Sequence, residues 1–150
     1  MKKILSKITI CLLVVSIFLP HGMIASAAEN TNDNIMPYYT NCNKCSISFT
    51  VLDPGEAHVS VTYNAKSDVF KEARITVKIQ KKFLLFFWKT VDIGLSNNEW
   101  TASSTDVNGY FYNCFDVNDT GTYRAIFTVQ IIGIDGSVDL IEETMESKYT

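Results

Sequence analysis

The chain has 150 residues, 47% of them hydrophobic and 19% charged, with 13 Lys and Arg against 16 Asp and Glu and a formal net charge of −3. That balance argues against a nucleic-acid binder, which would carry a basic stripe, and the length suits one small domain with one core. Four cysteines and two histidines narrow the metal and nucleophile chemistry that is open to it.

Residues 1–27 read as an address. Lys2, Lys3 and Lys7 form a basic start, residues 8–19 are apolar apart from Thr9 and Ser16, and Pro20 and Gly22 break the run. Ala25-Ser26-Ala27 is a small-x-small cleavage site, which completes the pattern of a secretory signal peptide. The apolar run is shorter than the ~20 residues of a comfortable membrane span. Cys11 lies inside that run rather than after a small-residue pair, so the expectation is secretion to the extracellular space, with cleavage near Ala27, and not a lipid anchor. Cleavage would remove three lysines and no acidic residue, leaving a more acidic chain, which favours solubility. Residues 28–45 read as a flexible arm: a polar Asn-rich leader, then Met36-Pro37-Tyr38-Tyr39, then a turn-like Asn41-Cys42-Asn43-Lys44-Cys45.

Residues 46–150 carry the period of two that marks half-buried strands. Ile47, Phe49 and Val51 share one face of the first. Asp53-Pro54-Gly55 is a turn, with Pro presetting φ at its second position and Gly supplying a positive φ. Ala57, Val59, Val61 and Tyr63 point inward on the returning strand, which places His58 outside. Ile75, Val77 and Ile79 do the same in residues 74–80, and an apolar connection leads to a second segment over residues 89–93. Strands follow over residues 100–105 and 110–117, then over 123–131 with Tyr123, Ala125, Phe127, Val129 and Ile131 on one face, and last from Val138 toward Tyr149. Every glycine after Gly22 falls in a predicted turn, and no window of helical length shows an i, i+3, i+4 stripe. Seven or eight short strands at regular spacing predict an all-β, immunoglobulin-like antiparallel β-sandwich; a closed barrel is the alternative.

Asp119-Thr120-Gly121-Thr122-Tyr123-Arg124-Ala125 resembles the Asp-x-Gly-x-Tyr-x-Cys motif of immunoglobulin-type domains. The resemblance implies the sandwich and puts Tyr123 at a structural tyrosine corner. Ala125 stands where that family has a cysteine, and the opposing strand offers Ile75, so the inter-sheet disulfide is absent; Trp88 is the candidate for the family's core tryptophan. Residues 28–150 are also similar to an uncharacterised family of small secreted proteins from Gram-positive bacteria. The shared stretches are Ile79-Gln80-Lys81-Lys82, Trp88-Lys89-Thr90-Val91, Gly121-Thr122-Tyr123-Arg124 and an acidic last strand ending in Ser147-Lys148-Tyr149. Members usually carry a polar turn between the lysine pair and the tryptophan, so the apolar residues 83–87 are a departure. The resemblance transfers no catalytic residue.

Catalysis has little to work with. His58 is the only histidine beyond the signal peptide, and no Gly-x-Ser-x-Gly, His-Glu-x-x-His or phosphate-binding glycine loop is present. A nucleophile pair of a cysteine with His58 is formally available, but an exposed strand residue explains His58 more simply. The expectation is therefore no enzyme, no cofactor and no metal. Glu142 and Glu143 point to opposite faces of a strand and read as a charged edge that discourages sheet-to-sheet pairing. Asp116 to Gly121 fails as a calcium loop, because Phe127 stands where the bidentate Glu belongs. Outside the cell thiols tend to pair, so a disulfide Cys45–Cys114 (or Cys42–Cys114) is expected to staple the arm to the sandwich. The leftover cysteine permits a covalent homodimer. A zinc site of Cys42, Cys45, Cys114 and His58 would have the right ligand number, though its spacing is loose.

Phe83, Leu84, Leu85, Phe86, Phe87 and Trp88 form the candidate binding patch. In a strand, half of such a run faces away from the core, and soluble monomers rarely expose that much contiguous apolar surface without a use. Lys81, Lys82 and Lys89 flank it, as at a membrane interface. The competing account is that the arm or a second subunit covers it. The sequence thus predicts a secreted, non-enzymatic binding or self-association module whose partner is an extracellular protein or a membrane surface. The alternative is a membrane-active toxin or bacteriocin-like protein that acts through the same segment.

Overall fold

The computed structural model describes residues 39–150, so the signal peptide and most of the predicted arm lie outside the described residues. The described residues form eight strands: β1 (Cys42–Leu52), β2 (Glu56–Ala65), β3 (Phe70–Phe83), β4 (Phe87–Thr90), β5 (Glu99–Ser104), β6 (Asn108–Asp116), β7 (Gly121–Gly133) and β8 (Val138–Tyr149). One sheet has the order β1-β2-β6 and the other β4-β3-β7-β8, with β5 also on β3. Because β7 occupies one side of β3 from Phe70 to Lys81, β4 and β5 must share the other side, end to end. All pairings are antiparallel. The order matches an immunoglobulin-like sandwich, with β1, β2 and β6 in the places of strands A, B and E, and β3, β7 and β8 in those of C, F and G.

The alternation read from the sequence is the burial pattern. Val59 and Val61 from β2 meet Ile75, Val77 and Ile79 from β3 and Phe127 and Val129 from β7 in one core. Each strand offers its apolar residues at every second position, so both sheets can bury one face and wet the other. The sandwich does not close into a barrel. Along one side, β1 and β8 lie edge to edge but are bridged by side chains: Asp139 accepts from the Thr40, Asn41 and Cys42 amides at one end, and Ser147 Oγ accepts from Val51 N–H at 2.9 Å at the other.

Several expectations need correction. Residues 42–45 belong to β1 rather than to a loop, and a bulge between Cys42 and Lys44 lets both Cys42 and Cys45 face the core. The predicted disulfide does not form, and Cys42, Cys45 and Cys114 are all free thiols. Cys45 stands opposite Tyr63 on one flank of β2, whereas Cys114 stands opposite His58 on the other flank. At ~3.3 Å per residue and ~4.8 Å per strand those positions are on the order of 15–20 Å apart, far beyond the ~7 Å Cα separation a disulfide tolerates. Cys42, opposite Ala65, is farther still from Cys114. Ile75 does not oppose Ala125 across the sandwich, since both lie in one sheet and Ala125 pairs with Ile79. Trp88 is not a core residue. Trp100 on β5 instead packs against the core, its ring edge-on to Phe115 at 6.1 Å. Pro54 takes the third position, not the second, of the turn closed by Gly55 N–H to the Leu52 carbonyl. Gly109 lies inside β6, where a Cβ would come within 2.1 Å of the buried Tyr63 ring.

Candidate functional site

β3 is the longest strand, and it outruns its partner. Its last pairing with β7 is Lys81 opposite Tyr123; beyond that point Lys82 and Phe83 pair only with Trp88 and Phe87 of β4. The hairpin therefore projects past the end of the sheet, and among the described residues no second layer lies under it. Alternation cannot bury a side chain where there is no facing sheet. Phe83, Leu84, Leu85, Phe86 and Phe87 are consequently exposed, from 60% at Phe83 to 82% at Phe86. Burying one such side chain is worth ~1.5–3 kcal/mol, so this tip leaves on the order of 10 kcal/mol of potential burial unused.

The turn itself shows the same preference for apolarity over comfort. Leu84 has φ 59, in the left-handed region. A bulky L-residue there costs roughly 1–2 kcal/mol, which Asn or Gly would largely avoid. Leu84→Asn is expected to raise stability by roughly 0.5–1 kcal/mol in urea unfolding, by relief of that strain. An unchanged or lowered midpoint would show that the tip packs where the structure leaves it open.

Behind the tip the chemistry changes to cationic. The Trp88 ring is half-buried beneath the Arg124 guanidinium at 4.3 Å, with Lys82 Nζ at 5.6 Å. Arg124 is oriented by its Nε–H donating to Gln80 Oε1 at 2.8 Å. Lys81 Nζ lies 3.0 Å from Asp119 Oδ2 and 5.7 Å from the Tyr123 ring centre. Burial opposes the Lys81 charge, but the Asp119 hydrogen bond and the Tyr123 hydroxyl outweigh it, so the pKa is held above its ordinary value. Lys89 pairs with Lys81 across the hairpin and is exposed. Tyr123 is buried and its Oη donates to the Asp119 carbonyl, the contact that makes a tyrosine corner. Between the hairpin and the loop after β6 lies an open depression of about 440 Å³, bordered by Lys81, Phe83, Asp116 and Asp119.

Glu142 and Glu143 are both exposed on β8, the edge strand of the five-stranded sheet. His58 is half-buried on the outer face of β2, beside Tyr112 and Cys114 of β6. Burial, together with the Glu56 and Asp116 carboxylates, pushes the Cys114 thiol up. Burial, reinforced by Cys42, pushes Cys45 up to about 12. A reactive thiolate needs the opposite environment. The sequence joined His58 and Cys114 only in a loosely spaced zinc set with Cys42 and Cys45, which the structure places at the far end of β1 and β2, and it gave no sign of Glu56 or Tyr112. The outward positions of two strands were legible; which two strands are neighbours was not.

No family model and no curated protein matches the chain. Among solved structures it is similar to wild-type OgpA from Akkermansia muciniphila, seen in two crystal forms. The matches have 12% and 14% identity and TM-scores of 0.37 and 0.35, and cover 75% and 72% of this chain. The chain spans about a third of that protein's length, 32% and 30% in the two cases. Among the described residues no helix is long and apolar enough to cross a membrane.

Proposed function

We propose that this is a secreted, non-enzymatic binding protein that docks on lipid surfaces through the β3–β4 hairpin tip. The observation that carries the reading is the run of five consecutive exposed apolar side chains, from Phe83 to Phe87, on a hairpin that projects beyond its sheet. Lys82, Lys89 and Arg124 lie behind that run, with a tryptophan among them. Apolar groups at the apex with cations and an aromatic belt one step back follow the order of layers in a membrane interface. Each cation near an anionic surface adds ~1 kcal/mol of attraction.

A second copy of the chain fits less well. A symmetric tip-to-tip contact would bring Lys82 and Lys89 of both copies together, and like charges across an interface are costly. Depth argues against lysis. The tip is one tight turn, suited to the ~5–10 Å of the headgroup and upper acyl region, while the hydrocarbon core is ~30 Å thick.

Co-sedimentation with vesicles tests this, comparing phosphatidylcholine alone with phosphatidylcholine mixed with phosphatidylglycerol, each loaded with dye. Binding to the mixed vesicles, weakened by salt and without dye release, is the expected result. No binding to either vesicle overturns the reading. Dye release would instead support the membrane-active toxin.

A further inference from the structure

Away from the hairpin tip, the outer face of the smaller sheet gathers a second set of groups. β2 and β6 pair so that Glu56 is opposite Asp116 and His58 is opposite Cys114. Alternate residues of a strand share a face, so Glu56, His58, Cys114 and Tyr112 meet on the side turned away from the core. Glu56 Oε2 lies 3.2 Å from His58 Nε2, and Cys114 Sγ lies 3.8 Å from the same nitrogen. The three ligand atoms are all within 4.8 Å of one another, and each residue is half-buried.

We propose that Glu56, His58 and Cys114 form a binding site for a zinc-type divalent cation, with a fourth position open to water or to an outside ligand. The spacing is that of a coordination sphere. Tetrahedral zinc with its usual bond lengths sets nitrogen and oxygen ligands roughly 3.3 Å apart and nitrogen and sulfur roughly 3.6 Å apart. The mixed nitrogen, sulfur and oxygen set selects zinc or its neighbours over magnesium and calcium, which prefer oxygen alone. Tyr112 Oη is 2.7 Å from His58 Nδ1, the contact that orients a metal-binding imidazole from behind. A tyrosine hydroxyl can donate or accept. The tautomer with the proton on Nδ1, which frees Nε2 for a metal, therefore keeps this contact. Asp116, beside Glu56, adds a second carboxylate at the rim.

The same residues are poorly arranged as a nucleophile relay. There the nucleophile and the acid engage different ring nitrogens of the histidine. Here Glu56 and Cys114 both converge on Nε2, as ligands around a shared ion do. Cys42 and Cys45 cannot contribute, since they face the core at the far end of β1 and β2.

Cobalt titration of the reduced protein tests the site, with Co²⁺ as the spectroscopic probe and Zn²⁺ as competitor. A thiolate-to-cobalt charge-transfer band is expected to saturate at one metal per chain and to vanish on zinc addition. Cys114→Ser and His58→Ala should abolish it, while Cys42→Ser/Cys45→Ser should leave it intact. Tyr112→Phe, which removes only the orienting hydroxyl, should weaken the affinity ~10–100-fold. Circular dichroism checks that each variant is folded. No band in the reduced wild-type protein, or a band that survives in a folded Cys114→Ser, overturns the proposal.

Discussion

Phe86→Ser/Phe87→Ser is expected to lower the affinity for vesicles containing phosphatidylglycerol by at least about a hundredfold while leaving the fold unchanged. Each phenylalanine that enters an apolar phase contributes ~1.5–3 kcal/mol. Two together are worth roughly 3–6 kcal/mol, and ~1.4 kcal/mol is a tenfold change in affinity. The fold should not notice, because Phe86 and Phe87 are 82% and 64% exposed and surface changes usually stay within about ±0.5 kcal/mol. Ile134→Ser is the control. It removes an apolar side chain that is 67% exposed in the β7–β8 turn, at the other end of the sandwich. Equal binding by all three proteins would take lipid docking away from the tip. A wild-type dimer that the double substitution splits, with no vesicle binding by either, would hand the tip to self-association.

The effect is large because the tip is extravagant. A β-hairpin turn is usually polar, and this one places Leu84 in the left-handed region when Asn or Gly would sit there more easily. Folding does not reward that choice, since the side chains of residues 83–87 gain little burial within the described residues. A surface that buries them after folding would. The half-buried Trp88, with Arg124 and Lys82 near its ring, marks the depth at which the buried segment would end.

Much of this was legible from the chain alone, and the limits have a common cause. Strand period is local, so Ile75, Val77 and Ile79 could be placed on the core face without knowing what they pack against. The tyrosine corner is local too, with Tyr123 reaching a carbonyl four residues back. Exposure of residues 83–87 could only be posed as a question, because it depends on where β7 stops relative to β3. The bulge between Cys42 and Lys44 shifts the in-out parity at the start of β1, so the inward facing of Cys42 was out of reach, whereas Cys45 keeps the parity of Ile47, Phe49 and Val51. Gly109 looked like a turn glycine because the reason for it, the Tyr63 ring, is 46 positions away in the chain. The cluster of Glu56, His58 and Cys114 is non-local in the same way: it exists only because β2 and β6 are neighbours in one register.

The side-chain seal between β1 and β8 makes Asp139→Ala the substitution expected to cost the most stability, about 3–5 kcal/mol in urea or thermal unfolding. Asp139 is 8% exposed, and its carboxylate accepts from three successive amides, Thr40 N–H at 2.9 Å, Asn41 N–H at 2.6 Å and Cys42 N–H at 2.9 Å. Hydrogen bonds to a charged group contribute ~1.5–3 kcal/mol each, and a buried donor left without a partner costs ~1–3 kcal/mol. The three are not additive, because they share one acceptor group. Water cannot readily take the carboxylate's place. Asn41 is fully buried beside it, with its amide donating to the Ile131 and Ser137 carbonyls and its Oδ1 accepting from Ser137 Oγ. These contacts do the work of a ladder where none exists, tying the start of one sheet to the edge of the other. Losing ~3–5 kcal/mol from the ~5–15 kcal/mol that holds a typical domain together should lower the melting temperature by more than about 10 °C. Hydrogen exchange locates the effect: the amides of residues 40–42 should lose protection first, ahead of the β7 amides. A loss below about 1 kcal/mol would mean that water replaces the carboxylate and that the sandwich is closed by its apolar core alone.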